Sequence, residues 1–110
     1  MTEKQNSLAG QVLTVSELVS YQPGAVVSRT LVNKKGSTVT MFAFDEGQGL
    51  SEHASPFDAL VHVIEGETEI TIAGTAHLLQ AGQLIIMPAD DPHAVRAITK
   101  LKMMLVMSRG

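Results

Sequence analysis

The chain has 110 residues, enough for one domain that buries roughly two thirds of its unfolded surface and too few for a second. Its formal charge of -3, with no Lys/Arg run longer than Lys34-Lys35, argues against general affinity for nucleic acid or anionic membrane surfaces, and the absence of cysteine excludes disulfides, thiolate nucleophiles and Cys-ligated metal clusters. Charged residues make up only 17% of the chain, against about 25% in an average soluble domain, so part of the surface is expected to be covered by a second copy in a homodimer.

Residues 1–25 are predicted as an N-terminal arm with a short helical turn over 14–20 and a first strand, and residues 26–110 as the single β-domain. In the turn, Ser16 is the expected N-cap, Leu13 and Leu18 face inward, and Pro23-Gly24 ends it. Residues 1–11 are polar and lack the apolar core of a secretory leader, so a cytoplasmic protein is expected. No apolar run approaches the roughly 18 residues that cross a bilayer. Val, Ile and Thr supply about a quarter of the chain, and such stiff β-branched side chains suit a pleated surface. Strands are predicted at 26–32, 39–44, 60–64, 68–73, 77–79, 84–87, 94–98 and 102–107, separated by glycine-bearing turns at the regular spacing of a sandwich or barrel. Along 68–73, Ile70 and Ile72 share one face while Glu69 and Thr71 share the other. Residues 84–87, Leu-Ile-Ile-Met, are apolar on both faces, which predicts a strand held between the interior and a partner subunit. The Met-rich run 102–107 calls for similar cover.

Four histidines carry the obvious chemistry. His53, read as preceding a strand, and His93, after a Pro-Ala-Asp-Asp-Pro loop, both sit at loop-to-strand junctions. Antiparallel strands bring such junctions together, and two neutral imidazoles facing one cavity make half of a first-row metal site. The competing reading is a pair of ordinary loop histidines. His62 is expected to point outward, at a subunit interface, and His77 to be a surface strand residue. Without Trp, and with only Tyr21, Phe42, Phe44 and Phe57 as aromatics, there is little surface on which nucleic-acid bases could stack.

The segments Gly47-x5-His53-x-Ser55-x3-Ala59-x6-Gly66 and Gly82-x5-Pro88-x-Asp90-x2-His93-x3-Ala97 resemble the two motifs of the cupins, with the short spacer of small microbial members. The resemblance implies an all-β double-stranded β-helix, the jelly-roll barrel of RmlC-like cupins. Cupins usually hold a metal with two histidines and a glutamate from the first motif and one histidine from the second. Here Ser55 and Ala59 stand where the second histidine and the glutamate would be. A divalent ion (Fe, Mn, Ni, Zn or Cu) on His53 and His93 would therefore need Gln48, Glu52, Asp58 or water as substitutes. Asp58 would reach the cavity only from a bulged strand, and otherwise caps the 55–57 loop. Ser55, Ala59 and Met87 are expected to line the pocket, while strand parity turns Arg96 away from it. The expected function is small-molecule binding, with that metal as the only implied cofactor. The alternative is a metal-dependent cupin enzyme of dioxygenase, isomerase or decarboxylase type acting on a small oxygenated substrate.

Overall fold

The computed structural model describes residues 8–108. Nine strands follow one short 3₁₀ turn: β1 (Val26–Lys34), β2 (Ser37–Phe44), β3 (Gly49–His53), β4 (Asp58–Glu65), β5 (Glu67–Ile72), β6 (Thr75–Gln80), β7 (Leu84–Met87), β8 (His93–Ala97) and β9 (Leu101–Ser108). They form a five-stranded sheet in the order β1-β2-β9-β4-β7 and a four-stranded sheet in the order β3-β8-β5-β6, with every pairing antiparallel. This is the expected jelly roll. No helix among the described residues is long and apolar enough to cross a membrane.

Alternation places the core. On β4, Ala59, Val61 and Val63 are buried against Phe44, Leu101 and Met103 from the same sheet and Ile70, Val95 and Ala97 from the other. Leu60, His62 and Ile64 occupy the opposite face, as the outward reading of His62 requires. Side chains from both sheets meet in this one buried cluster.

β3 was not anticipated. Its sequence, Gly-Leu-Ser-Glu-His, has one apolar residue and four exposed ones, so it lacks the alternation by which a strand is recognised. His53 thus ends a strand rather than preceding one. No strand lies between residues 8 and 25; the part of the predicted arm over 1–7 lies outside the described residues.

The arm's turn is a single 3₁₀ turn, Val15–Glu17. Thr14 is its N-cap, without a side-chain cap, and Ser16 lies inside it. Leu18 is half-buried, and Val19 is the residue that goes fully under. Together they cover Met41, Ala43 and Met104 on the outer face of the five-stranded sheet. Part of the Met-rich run is therefore covered by the chain's own arm. Met103 is in the core, and Met107 packs against it.

Polar bonds hold the arm down. The Tyr21 hydroxyl donates to the Glu65 carboxylate (2.7 Å), Lys102 Nζ donates to the Ser16 carbonyl, and the Lys100 and Lys102 ammonium groups stand 5.5 and 4.9 Å from the centre of the Tyr21 ring. Burial, then the adjoining carboxylate, pushes the Tyr21 phenol well above its ordinary range, so it remains a donor. Tyr21→Phe is expected to cost about 1 to 2 kcal/mol through the lost bond to a charged acceptor, measurable by urea unfolding.

Candidate functional site

His53 and His93 are brought together by register. β3 pairs with β8 so that His53 lies opposite His93, and β5 on the other side of β8 sets Ile72 opposite His93. The imidazole centres are 4.4 Å apart, with the ring planes inclined at 69°. His93 belongs to the inward row of β8 with Val95 and Ala97 and is 5% exposed, whereas His53 is exposed.

Each ring is oriented by its own backbone. His53 Nδ1 lies 2.7 Å from the Ser51 carbonyl oxygen and His93 Nδ1 lies 3.2 Å from that of Asp91. A carbonyl can only accept, so each Nδ1 carries a proton, and in a neutral ring that leaves the Nε2 lone pair free. This is how metal-binding and acceptor histidines are commonly held. Burial, and to a smaller extent the neighbouring His53, lowers the His93 pKa below its usual value, while the Asp91 carbonyl opposes the shift. The net effect favours the neutral form of His93, the form a lone-pair donor requires.

The loop before His93 is braced on three sides. The Asp90 N–H donates to the Ser55 carbonyl (2.7 Å), the Ala73 N–H donates to the Pro92 carbonyl (2.8 Å), and the Ala89 N–H donates to Asp58 Oδ1 (2.9 Å). Asp90 has φ +71°, a left-handed conformation that Asp tolerates better than most residues. Asp58 was expected to cap the 55–57 loop. It caps the 88–91 loop instead, because β7 delivers that loop beside the start of β4.

The remaining expected site residues do not converge on the pair in one way. No group of three or more His, Cys, Asp or Glu among the described residues could hold a metal, so neither Glu52 nor Asp58 completes the set. Glu52 is exposed on β3, and the Gln48 backbone carbonyl accepts from the Ala97 N–H (2.8 Å). The Ser55 hydroxyl closes on its own turn, accepting from the Phe57 N–H at 3.2 Å. Ala59 and Met87 are paired across β4 and β7 and are 1% and 2% exposed, part of the buried cluster rather than the lining of an open cavity. Arg96 points outward as expected and meets Glu69 at 3.4 Å. The orienting carbonyls of Ser51 and Asp91 had no side-chain signature in the sequence.

The donor set fits a divalent ion as half of a coordination shell. Two imidazoles on one ion, with metal–nitrogen bonds of about 2.0–2.1 Å, have ring centres roughly 4.5 to 5.5 Å apart. The observed 4.4 Å lies just below that range, so the rings would part slightly to share an ion. Imidazole nitrogen suits Zn, Cu, Fe and Ni.

Fold and paired motif histidines define a small jelly-roll protein of the cupin class. The cupin domain family model matches residues 40–108, and the chain belongs to that family. It is similar to a conserved protein of unknown function from Streptococcus pyogenes, with 37% identity over 92% of this chain and 89% of that one and a TM-score of 0.88. A cupin 2 conserved barrel domain protein from Leptotrichia buccalis is 36% identical over 86% of this chain but only 46% of its own length, with a TM-score of 0.83. A cupin superfamily protein from Desulfitobacterium hafniense shares the fold at 23% identity, covering 96% of each chain with a TM-score of 0.88. A comparison with curated proteins found no match.

Proposed function

We propose that this cupin binds a small molecule at the His53–His93 pair, with a divalent transition ion as the bridge between protein and ligand. The observation that carries the reading is the backbone tether on both Nδ1 atoms, which leaves two Nε2 lone pairs on rings 4.4 Å apart. A bound ion would supply Lewis-acid polarisation of an oxygen ligand. The chain's own residues fix the two imidazoles, favour neutral His93 and leave the other coordination positions to water or the small molecule. Two imidazoles without a carboxylate predict a weaker hold than a complete cupin set.

Titration of tag-free protein with Zn, Ni, Cu, Mn and Fe by calorimetry tests the reading. One ion per chain is expected; no binding of any of them would refute it. Ser55→His with Ala59→Glu should then raise affinity by about two orders of magnitude. Without metal this variant should melt below the wild type, because position 59 is 1% exposed and would bury a carboxylate. Metal should restore the melting temperature.

A further inference from the structure

We infer that Met87 and Met107 offer thioether sulfur to an ion on the His53–His93 pair, so that the site takes copper, and above all Cu(I), in preference to zinc. The inference rests on the reading of the pair as a metal site and adds the donors that choose the metal. Register carries it. Ala59 on β4, where the glutamate of a complete cupin set would stand, is opposed by Met87 of β7 on one side and by Met107 of β9 on the other. Directly opposed residues share a face of the sheet, so one inward row reads Met87, Ala59, Met107. Ala59 and Met87 are buried, and Met107 packs against the same cluster.

Connectivity sets this row at the same end of the barrel as the histidines. β7 ends at Met87 and β8 begins at His93, with only residues 88–92 between them; β3 ends at His53 and β4 begins at Asp58, with only residues 54–57 between. Both links pass from one sheet to the other, and the bonds from Asp90 N–H to the Ser55 carbonyl and from Ala89 N–H to Asp58 tie them together. The row His53, His93, Ile72 on the four-stranded sheet therefore lies across the interior from Met87, Ala59, Met107 on the five-stranded one. Packed sheets stand roughly 10 Å apart, a gap that an imidazole from one side and a methionine from the other fill between them. Alanine between the two methionines leaves room for them to lean in, and methionine, unbranched with three rotatable bonds, is the apolar residue best able to do so.

Donor chemistry then selects the metal. Two imidazoles alone suit Zn, Cu, Fe and Ni alike, and among the described residues no carboxylate joins them to favour a harder ion. Thioether sulfur is a soft donor, and soft donors favour Cu(I). Charge acts in the same direction. With neutral donors only, the complex keeps the whole charge of its ion, +1 for Cu(I) against +2 for zinc, and desolvation beside the buried His93 and Met87 penalises the doubly charged complex more. Cu(II) would sit on the pair as the other divalent ions do; Cu(I) gains the sulfur.

The test uses the chain's lack of cysteine, so that any sulfur bound to a metal comes from methionine. Tag-free protein is loaded with Cu(I) without oxygen, and its affinity is read by competition with bicinchoninate, beside a zinc titration of the same preparation. Cu(I) should bind at least about a hundredfold more tightly than zinc. X-ray absorption at the copper edge should show sulfur beside two imidazole nitrogens. Met87→Leu combined with Met107→Leu, a swap that nearly conserves volume, should reduce Cu(I) affinity at least about thirtyfold and with it the preference over zinc. Zinc bound as tightly as Cu(I), a copper spectrum without sulfur, or Cu(I) affinity unchanged in the double variant overturns the inference and leaves the histidine pair standing as a metal site. Failure of the wild type to bind either ion overturns both. The spectrum is taken on the wild type, so it decides even if a variant does not fold.

Discussion

His93→Ala should weaken metal binding by at least about a hundredfold, a loss of about 2.8 kcal/mol, while the barrel stays folded. With one of two protein donors gone, His53 alone cannot chelate, and no His, Cys, Asp or Glu cluster among the described residues replaces it. His53→Ala should lose binding to a similar degree. The pair separates in stability. His93 is 5% exposed and ends the inward row of β8, so its truncation should also cost about 2 kcal/mol from the space left next to Ile72. His53 is exposed at the end of an edge strand, and its truncation should change stability by no more than about 0.5 kcal/mol. Calorimetric titration beside urea unfolding reads both quantities. Equal stability losses, or binding retained in either variant, would move the site away from the pair.

The largest expected effect on folding is at Gly66. This single residue joins β4 of one sheet to β5 of the other, so the chain must turn sharply there at φ +89°. A β-carbon at this position would overlap the Lys100 carbonyl oxygen and lie 2.9 Å from Thr99 Oγ1. Backbone, not a flexible side-chain end, would have to give way. Strain at positive φ and forced overpacking are each worth about 1 to 3 kcal/mol, so Gly66→Ala should cost about 3 to 5 kcal/mol. Gly82 has the same φ of +89° with nothing within 4 Å of the added carbon, so Gly82→Ala should cost only about 1 to 2 kcal/mol. Chemical denaturation of the two variants separates close approach from backbone conformation; equal costs would show that the contact with Lys100 does not matter.

What could be read from the residues was what repeats along a strand. Val61, Val63, Ile70, Val95 and Met103 alternate with residues of the outer face, and that pattern alone implies a two-sheet β-structure. β3 escaped because Leu50 is its only apolar residue and its pairing with β8 is irregular between Leu50 and His53. The Tyr21–Glu65 clasp joins residues 44 apart and had no local signal. The motif spacing located both histidines, but their orientation depends on the carbonyls of Ser51 and Asp91, which every residue possesses. Ala59 and Met87 illustrate the converse. Their motif positions suggested a pocket lining, whereas packing against their neighbours places them in the core.

Long-range proton–nitrogen NMR of the imidazoles reads the state of His53 and His93 directly. In metal-free protein, at a pH where both rings are neutral, each should be the Nδ1–H tautomer, with Nε2 unprotonated. Zinc should then shift both Nε2 resonances together and saturate at one ion per chain. An Nε2–H tautomer in either ring, or Nε2 signals that zinc leaves unmoved, would contradict a site built from two lone pairs held ready by the backbone.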